Sequence, residues 1–162
     1  MDSKISTLEK DLWNSGFDVN QAYNSLLLEQ YKIYIEMADR ISQRRMLANT
    51  FFLTLNTSII AIIITVSSGF DSIQNIIIVS TSVISCIVWA ALLRSYRTLN
   101  TAKFEVIGAM EKKLPCSPFY NAEWKSLKYG ENKGVHIPFG AIEKLVPFLF
   151  IMLYTLFLIT KI

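Results

Sequence analysis

MLANTFFLTLNTSIIAIIITV, residues 46–66, and IQNIIIVSTSVISCIVWAALL, residues 73–93, contain no Asp, Glu, Lys, Arg or His. A helix rises about 1.5 Å per residue, so each stretch reaches across a hydrocarbon layer of roughly 30 Å. About eleven Leu, Ile, Phe and Val residues in the first stretch favour insertion by on the order of 5 kcal/mol, enough to offset its Asn, Thr and Ser residues. A third uncharged stretch, LVPFLFIMLYTLFLIT at 145–160, is shorter. Lys144 and Lys161 bracket it, and their long stems reach the two interfaces. Its FLFIMLYTLFLI run is apolar on every face, and the rest of the chain offers too little core to cover it in water. The expected fold is all-α with three transmembrane helices.

The 162-residue composition agrees with this reading: 52% hydrophobic residues exceed the roughly 45–50% of soluble domains, and the excess lies in these stretches. A net charge of +3 without a long basic run argues against a nucleic-acid partner. Cys86 and Cys116 have no neighbours at metal-ligand or redox-motif spacing, so no structural disulfide, metal or cofactor is expected. The opening MDSKISTLEKDLWNSGFD lacks the apolar run of a secretory signal, which leaves insertion to the first span.

Basic residues set the orientation. Arg40, Arg44 and Arg45 precede the first span and Arg94, Arg97 and Lys103 follow the second, while the connecting SSGFDS carries only Asp71. By the positive-inside rule the N-terminus lies in the cytoplasm and the C-terminus outside. The expected organisation is a cytoplasmic helical region at 1–45, a transmembrane hairpin at 46–93 (46–66 and 73–93), a second cytoplasmic helical region at 94–138, and a third span at 139–162.

Asp18 followed by Gln21 fits a capping box, so a helix should begin there. Leu27, Tyr31, Tyr34, Ala38 and Ile41 then recur at alternating spacings of four and three, a narrow apolar seam facing another helix. No Pro or Gly interrupts residues 20–66, which predicts one continuous helix of about 70 Å. The second span should continue inward until Pro115, and Ser117-Pro118 should start a short helix that Gly130 closes. GENKGVHI reads as a polar loop, Pro138 fits the first turn of the last helix, and Pro147 predicts a kink within it.

Asn49 and Asn56 lie seven residues apart on one side of the first span, flanked by Thr50, Thr54, Thr57 and Ser58. Such groups either hydrogen-bond between helices, at about 0.6–2 kcal/mol each, or line water in a pore. Ser82, Cys86 and Ala90 form a small-residue stripe on the second span, widened by Ser85 and Ala91, which permits close helix approach. Arg44, Arg45, Arg94 and Arg97 cluster at the inner face, suited to anionic lipid head groups or to a cationic pore mouth. His136 stands in a loop without a catalytic neighbour, and no nucleophile elbow, P-loop or zinc motif is present, so no catalytic residue is assigned. Spans without an ionisable residue disfavour coupled transport.

EQYKIYIEMADRISQRRMLANTFFLTLN at 29–56, LLRSYRTLNTAKFEVIGAMEKKLPCSPFYNAEWK at 92–125 and IEKLVPF at 142–148 resemble the RipA-like small octameric membrane proteins of bacteria. That resemblance covers nearly the whole chain and implies an inner-membrane homo-oligomer of eight subunits, with no enzymatic residues to carry over. The entry helix and two-span hairpin are also similar to SLATT-type effectors of bacterial defence, which permeabilise membranes, although a third span departs from that pattern. The expected role is therefore a homo-oligomeric ring acting as membrane scaffold or pore, in contact with lipids, with a cytoplasmic protein docking on the helix seam or on Trp124. The alternatives are a permeabilising effector and an enzyme with an inter-subunit site.

Overall fold

The computed structural model describes residues 12–13, 21–66, 69–123 and 139–161. All regular structure among them is helical: α1 (Gln21–Val66), α2 (Ser72–Glu111), a π-helical turn (Pro118–Glu123) and α3 (Phe139–Lys161). Each of the three α-helices contains a segment long and apolar enough to cross a membrane. The protein is a three-span, all-α membrane protein.

The 46-residue α1 runs about 69 Å at 1.5 Å per residue. Its described part begins at Gln21, and the expected start at Asn20 and the Asp18 cap both lie outside the described residues. The cap of α2 is visible: Gln74 Oε1 accepts the Asp71 N–H at 3.1 Å while the Asn75 N–H donates to the Asp71 carbonyl at 3.0 Å, the reach-back half of a capping box.

Helix α2 stops at Glu111, four residues before the proline expected to end it. The N–H groups of Lys113 and Leu114 turn back onto the carbonyls of Met110 and Glu111, a tightening that spends the last helical carbonyls before Pro115 forces extended backbone. The segment after Ser117 was expected to be an α-helix reaching Gly130. It instead opens as a π turn, with the Ala122 N–H donating to the Ser117 carbonyl at 3.2 Å. The cause is local: Glu111 accepts both the Phe119 N–H and the Ser117 hydroxyl, which draws the start of this segment onto the end of α2. The remainder of that expected helix, the polar loop, Trp124, His136 and Pro138 lie outside the described residues. Pro147 sits inside α3, as anticipated, and is buried.

The chain divides into two compact units, residues 1–42 with 98–136 and residues 43–97 with 137–162. The second holds the apolar spans. Its core is Ile63, Val79, Cys86 and Tyr154, surrounded by Ile59, Ile60, Val83, Phe150 and Phe157. Its outside is equally apolar: Leu47, Ile64, Ile73 and Ile159 are each more than 70% exposed, the surface a hydrocarbon solvent requires. In the first unit Leu27, Ala38, Ile107, Ala109 and Met110 are buried between two antiparallel helical legs.

Candidate functional site

The two asparagines of the first span point into the spanning unit. Asn56 is wholly buried: its Nδ2 donates to the Phe52 carbonyl at 2.8 Å, and its Oδ1 accepts from Cys86 Sγ at 3.2 Å and from the Tyr154 hydroxyl at 3.1 Å. One amide thus joins all three helices. Seven residues earlier, two helical turns away on the same face, Asn49 Oδ1 accepts the Trp89 indole N–H at 3.1 Å. Trp89 is fully buried and stacks on Phe52 with ring centroids 5.9 Å apart, and Phe150 closes the layer at 6.0 Å. Such aromatic layers add about 0.5–1.5 kcal/mol per pair beyond area burial.

The small-residue stripe of α2 lines the same interior. Ser82 and Cys86 are buried and Ala90 is half-buried, so the stripe leaves room for Tyr154 to reach Asn56. Ser82 also returns its hydroxyl to the Ile78 carbonyl at 2.8 Å, a bond within its own helix.

The hydroxyl residues flanking Asn49 and Asn56 take the opposite face. Thr50, Thr54, Thr57, Ser58 and Thr65 are all exposed. Thr57, Ser58 and Thr65 bond their own backbone carbonyls four residues back, at 2.7–2.9 Å. The polar side of the first span is therefore two faces: amides inward, hydroxyls outward.

The four arginines separate likewise. Arg44, Arg94 and Arg97 are exposed, whereas Arg45 forms an ion pair with Glu143 of α3, its Nε 2.9 Å from Oε2. Glu143 is buried and the Arg45 side chain only 18% exposed. Together with Asn49–Trp89, this pair puts the start of the first span, the end of the second and the start of the third on the same side of the unit.

In the other unit the seam residues face α2. Leu27 and Ala38 are buried, and Tyr31, Tyr34 and Ile41 half-buried. Tyr31 donates its hydroxyl to Glu111 at 2.9 Å, and Lys103 Nζ lies 4.4 Å from the Tyr34 ring centre. Glu111 is buried and accepts from Tyr31, Ser117 (2.8 Å) and the Phe119 N–H (3.1 Å). Burial, then the bond to Glu111 and its charge, push the Tyr31 phenol well above its ordinary value, so it remains a donor.

Glu111, Glu143, Trp89 and Tyr154 did not stand out in the sequence. Glu111 reads there as one charge in a solvated MEKKL end, and each partner is distant, 80 residues away for Tyr31–Glu111 and 98 for Asn56–Tyr154. The usable signal was for Glu143, a lone acid two residues before the third apolar run, where the first and second runs have arginines at their matching ends.

With this geometry in place, the family model described as the octameric membrane protein family (8xMP) matches residues 28–162 of the chain. No curated protein and no solved structure matches it.

Proposed function

The chain belongs to the octameric membrane protein family, and from that membership we propose that it assembles as a homo-octameric ring in a bacterial inner membrane, N-terminus inside and C-terminus outside, and acts there as a membrane scaffold. The observation that carries the scaffold reading is the inward orientation of the span amides. Asn49 and Asn56 are engaged by Trp89, Cys86 and Tyr154 of the same chain, so the groups best able to line water instead hold three helices together. Arg44, Arg94 and Arg97, exposed beside the spans, suit the anionic head groups of surrounding lipid. The reading assigns no catalytic step, cofactor or metal to the chain.

A second reading, a pore or membrane-permeabilising effector, draws on the outward hydroxyls Thr50, Thr54, Thr57, Ser58 and Thr65. If that face lined the ring's centre, the exposed arginines would form a cationic mouth that favours anions.

Ion flux through the full chain in liposomes, with the subunit number counted by native mass spectrometry, separates them. The scaffold reading expects eight subunits and no flux. Flux from assembled octamers that changes with Arg94→Glu or Ser58→Leu would replace the scaffold with a pore.

A further inference from the structure

Five charged residues, Glu29, Lys32, Glu36, Asp39 and Arg40, mark the first half of α1 as a segment outside the hydrocarbon layer. Yet Leu26, Ile33 and Met37 in that segment are about half exposed (50, 57 and 45%), and so are Leu28, Leu99 and Phe104. Lipid tails cannot cover side chains in so charged a stretch, and water does so at a cost of about 25 cal/mol per Å² of apolar surface.

The exposure is organised. At 3.6 residues per turn, Leu26, Ile33 and Met37 share one flank of the α1 seam, and Leu28 lies on the other. The two contacts across the seam assign the flanks of α2. Tyr34, beneath Lys103, leans toward the Ile33 side, which puts Leu99 there too; Tyr31, on Glu111, leans toward the Leu28 side, which puts Phe104 there. The helical hairpin thus presents two different apolar faces on opposite sides. A twofold dimer needs one self-complementary patch, whereas a closed head-to-tail ring needs two unlike patches on opposite sides.

We propose that this hairpin packs face to back on the hairpin of a second copy of the chain, the Leu26/Ile33/Met37/Leu99 face of one against the Leu28/Phe104 face of the next, and so closes the ring outside the membrane. The inference rests on the octameric reading and adds to it where the subunits meet. The Tyr34–Lys103 and Tyr31–Glu111 contacts bracket the height: Ile33 and Phe104, next to the first pair on each leg, stand within about one and a half helical turns of each other. Rotation about an axis along the hairpin preserves height, so Ile33 lies near the level of the neighbour's Phe104.

The test uses the full-length protein in membranes, with the exposed Cys116 replaced by Ser and the buried Cys86 kept. On mild oxidation the Ile33→Cys/Phe104→Cys double variant should give a ladder of disulfide-linked species running past the dimer toward eight, and either single variant should stay monomeric on the gel. Ile33→Arg should retain helicity and membrane insertion while the subunit number falls. Octamers that persist in Ile33→Arg, with no ladder from the double variant, would overturn this interface and leave octamer formation standing. Dimers from the Ile33→Cys single variant as abundant as from the pair would overturn the head-to-tail arrangement in favour of a twofold contact. A wild-type protein without oligomers would remove both this inference and the octameric reading.

Discussion

The two units solve the same problem with opposite chemistry. In the spanning unit the interior carries the polar contacts between helices, Asn56–Cys86–Tyr154, Asn49–Trp89 and Arg45–Glu143, and the outside is mostly apolar, with Thr57, Ser58 and Thr65 bonded back to their own helix. In the helical hairpin the seam is mostly apolar, with one buried carboxylate, Glu111, pinning its end. The difference follows from the solvent each surface meets. In lipid, apolar burial gives little drive for helix association, so hydrogen bonds and close packing hold helices together. In water, apolar burial supplies the drive, and a buried polar group is retained only when its donors are all in place.

Substitutions at the two kinds of polar centre test that contrast, and the largest effect should fall on the hairpin. Glu111→Ala strands the Tyr31 hydroxyl, the Ser117 hydroxyl and the Phe119 N–H together, an expected loss of about 3–4 kcal/mol. Hydrogen exchange should show it as lost protection at residues 26–38 and 104–119, with the spans unaffected. Equal loss of protection in the spans would break the comparison.

Glu143→Ala should cost about 3 kcal/mol, the low end for breaking a buried ion pair, because Arg45 keeps some access to water. Thermal unfolding in detergent reads it, and Arg45→Leu/Glu143→Leu together should recover most of the loss, since neither charge is then stranded.

Asn56→Leu removes the side-chain acceptor that the Cys86 thiol and the Tyr154 hydroxyl share, but leaves Tyr154 the residue-56 backbone carbonyl at 3.2 Å, and should cost about 1–2 kcal/mol, within the range for interhelical bonds in membranes. A cost above that of Glu111→Ala would reverse the ranking that the solvent argument predicts.

Tyr31→Phe should cost about 1 kcal/mol. The folded-state phenol titrates above the unfolded one, so its contribution is complete below the ordinary tyrosine value of 10.0 and is lost only as pH rises through the higher folded value. Unfolding curves of wild type and variant measured from pH 6 to 9 should therefore run parallel. Thr57→Val should change stability by less than about 0.5 kcal/mol, because its hydroxyl bonds only its own helix.

The spans, their number and the seam were legible because each is written in consecutive or periodic residues: charge vanishes for about twenty positions, or apolar side chains return every three or four. The division of the polar span face was not legible. Asn56 and Ser58 are both polar residues in an apolar run, and what separates them is that one side chain finds Cys86 and Tyr154 across the bundle while the other bonds the Thr54 carbonyl of its own helix. The same holds for Arg44 and Arg45, adjacent in the chain, of which one is exposed and the other meets Glu143.

The sequence by itself determined that this chain is a three-span helical membrane protein, because the lengths of its uncharged segments and the helical rise are local quantities matched to the thickness of a bilayer. Only the tertiary structure decided which polar residues bind the helices together and which face outward. Those partners stand 30 to 98 residues apart along the chain, and a hydrogen bond is made only when folding brings donor and acceptor within about 3 Å.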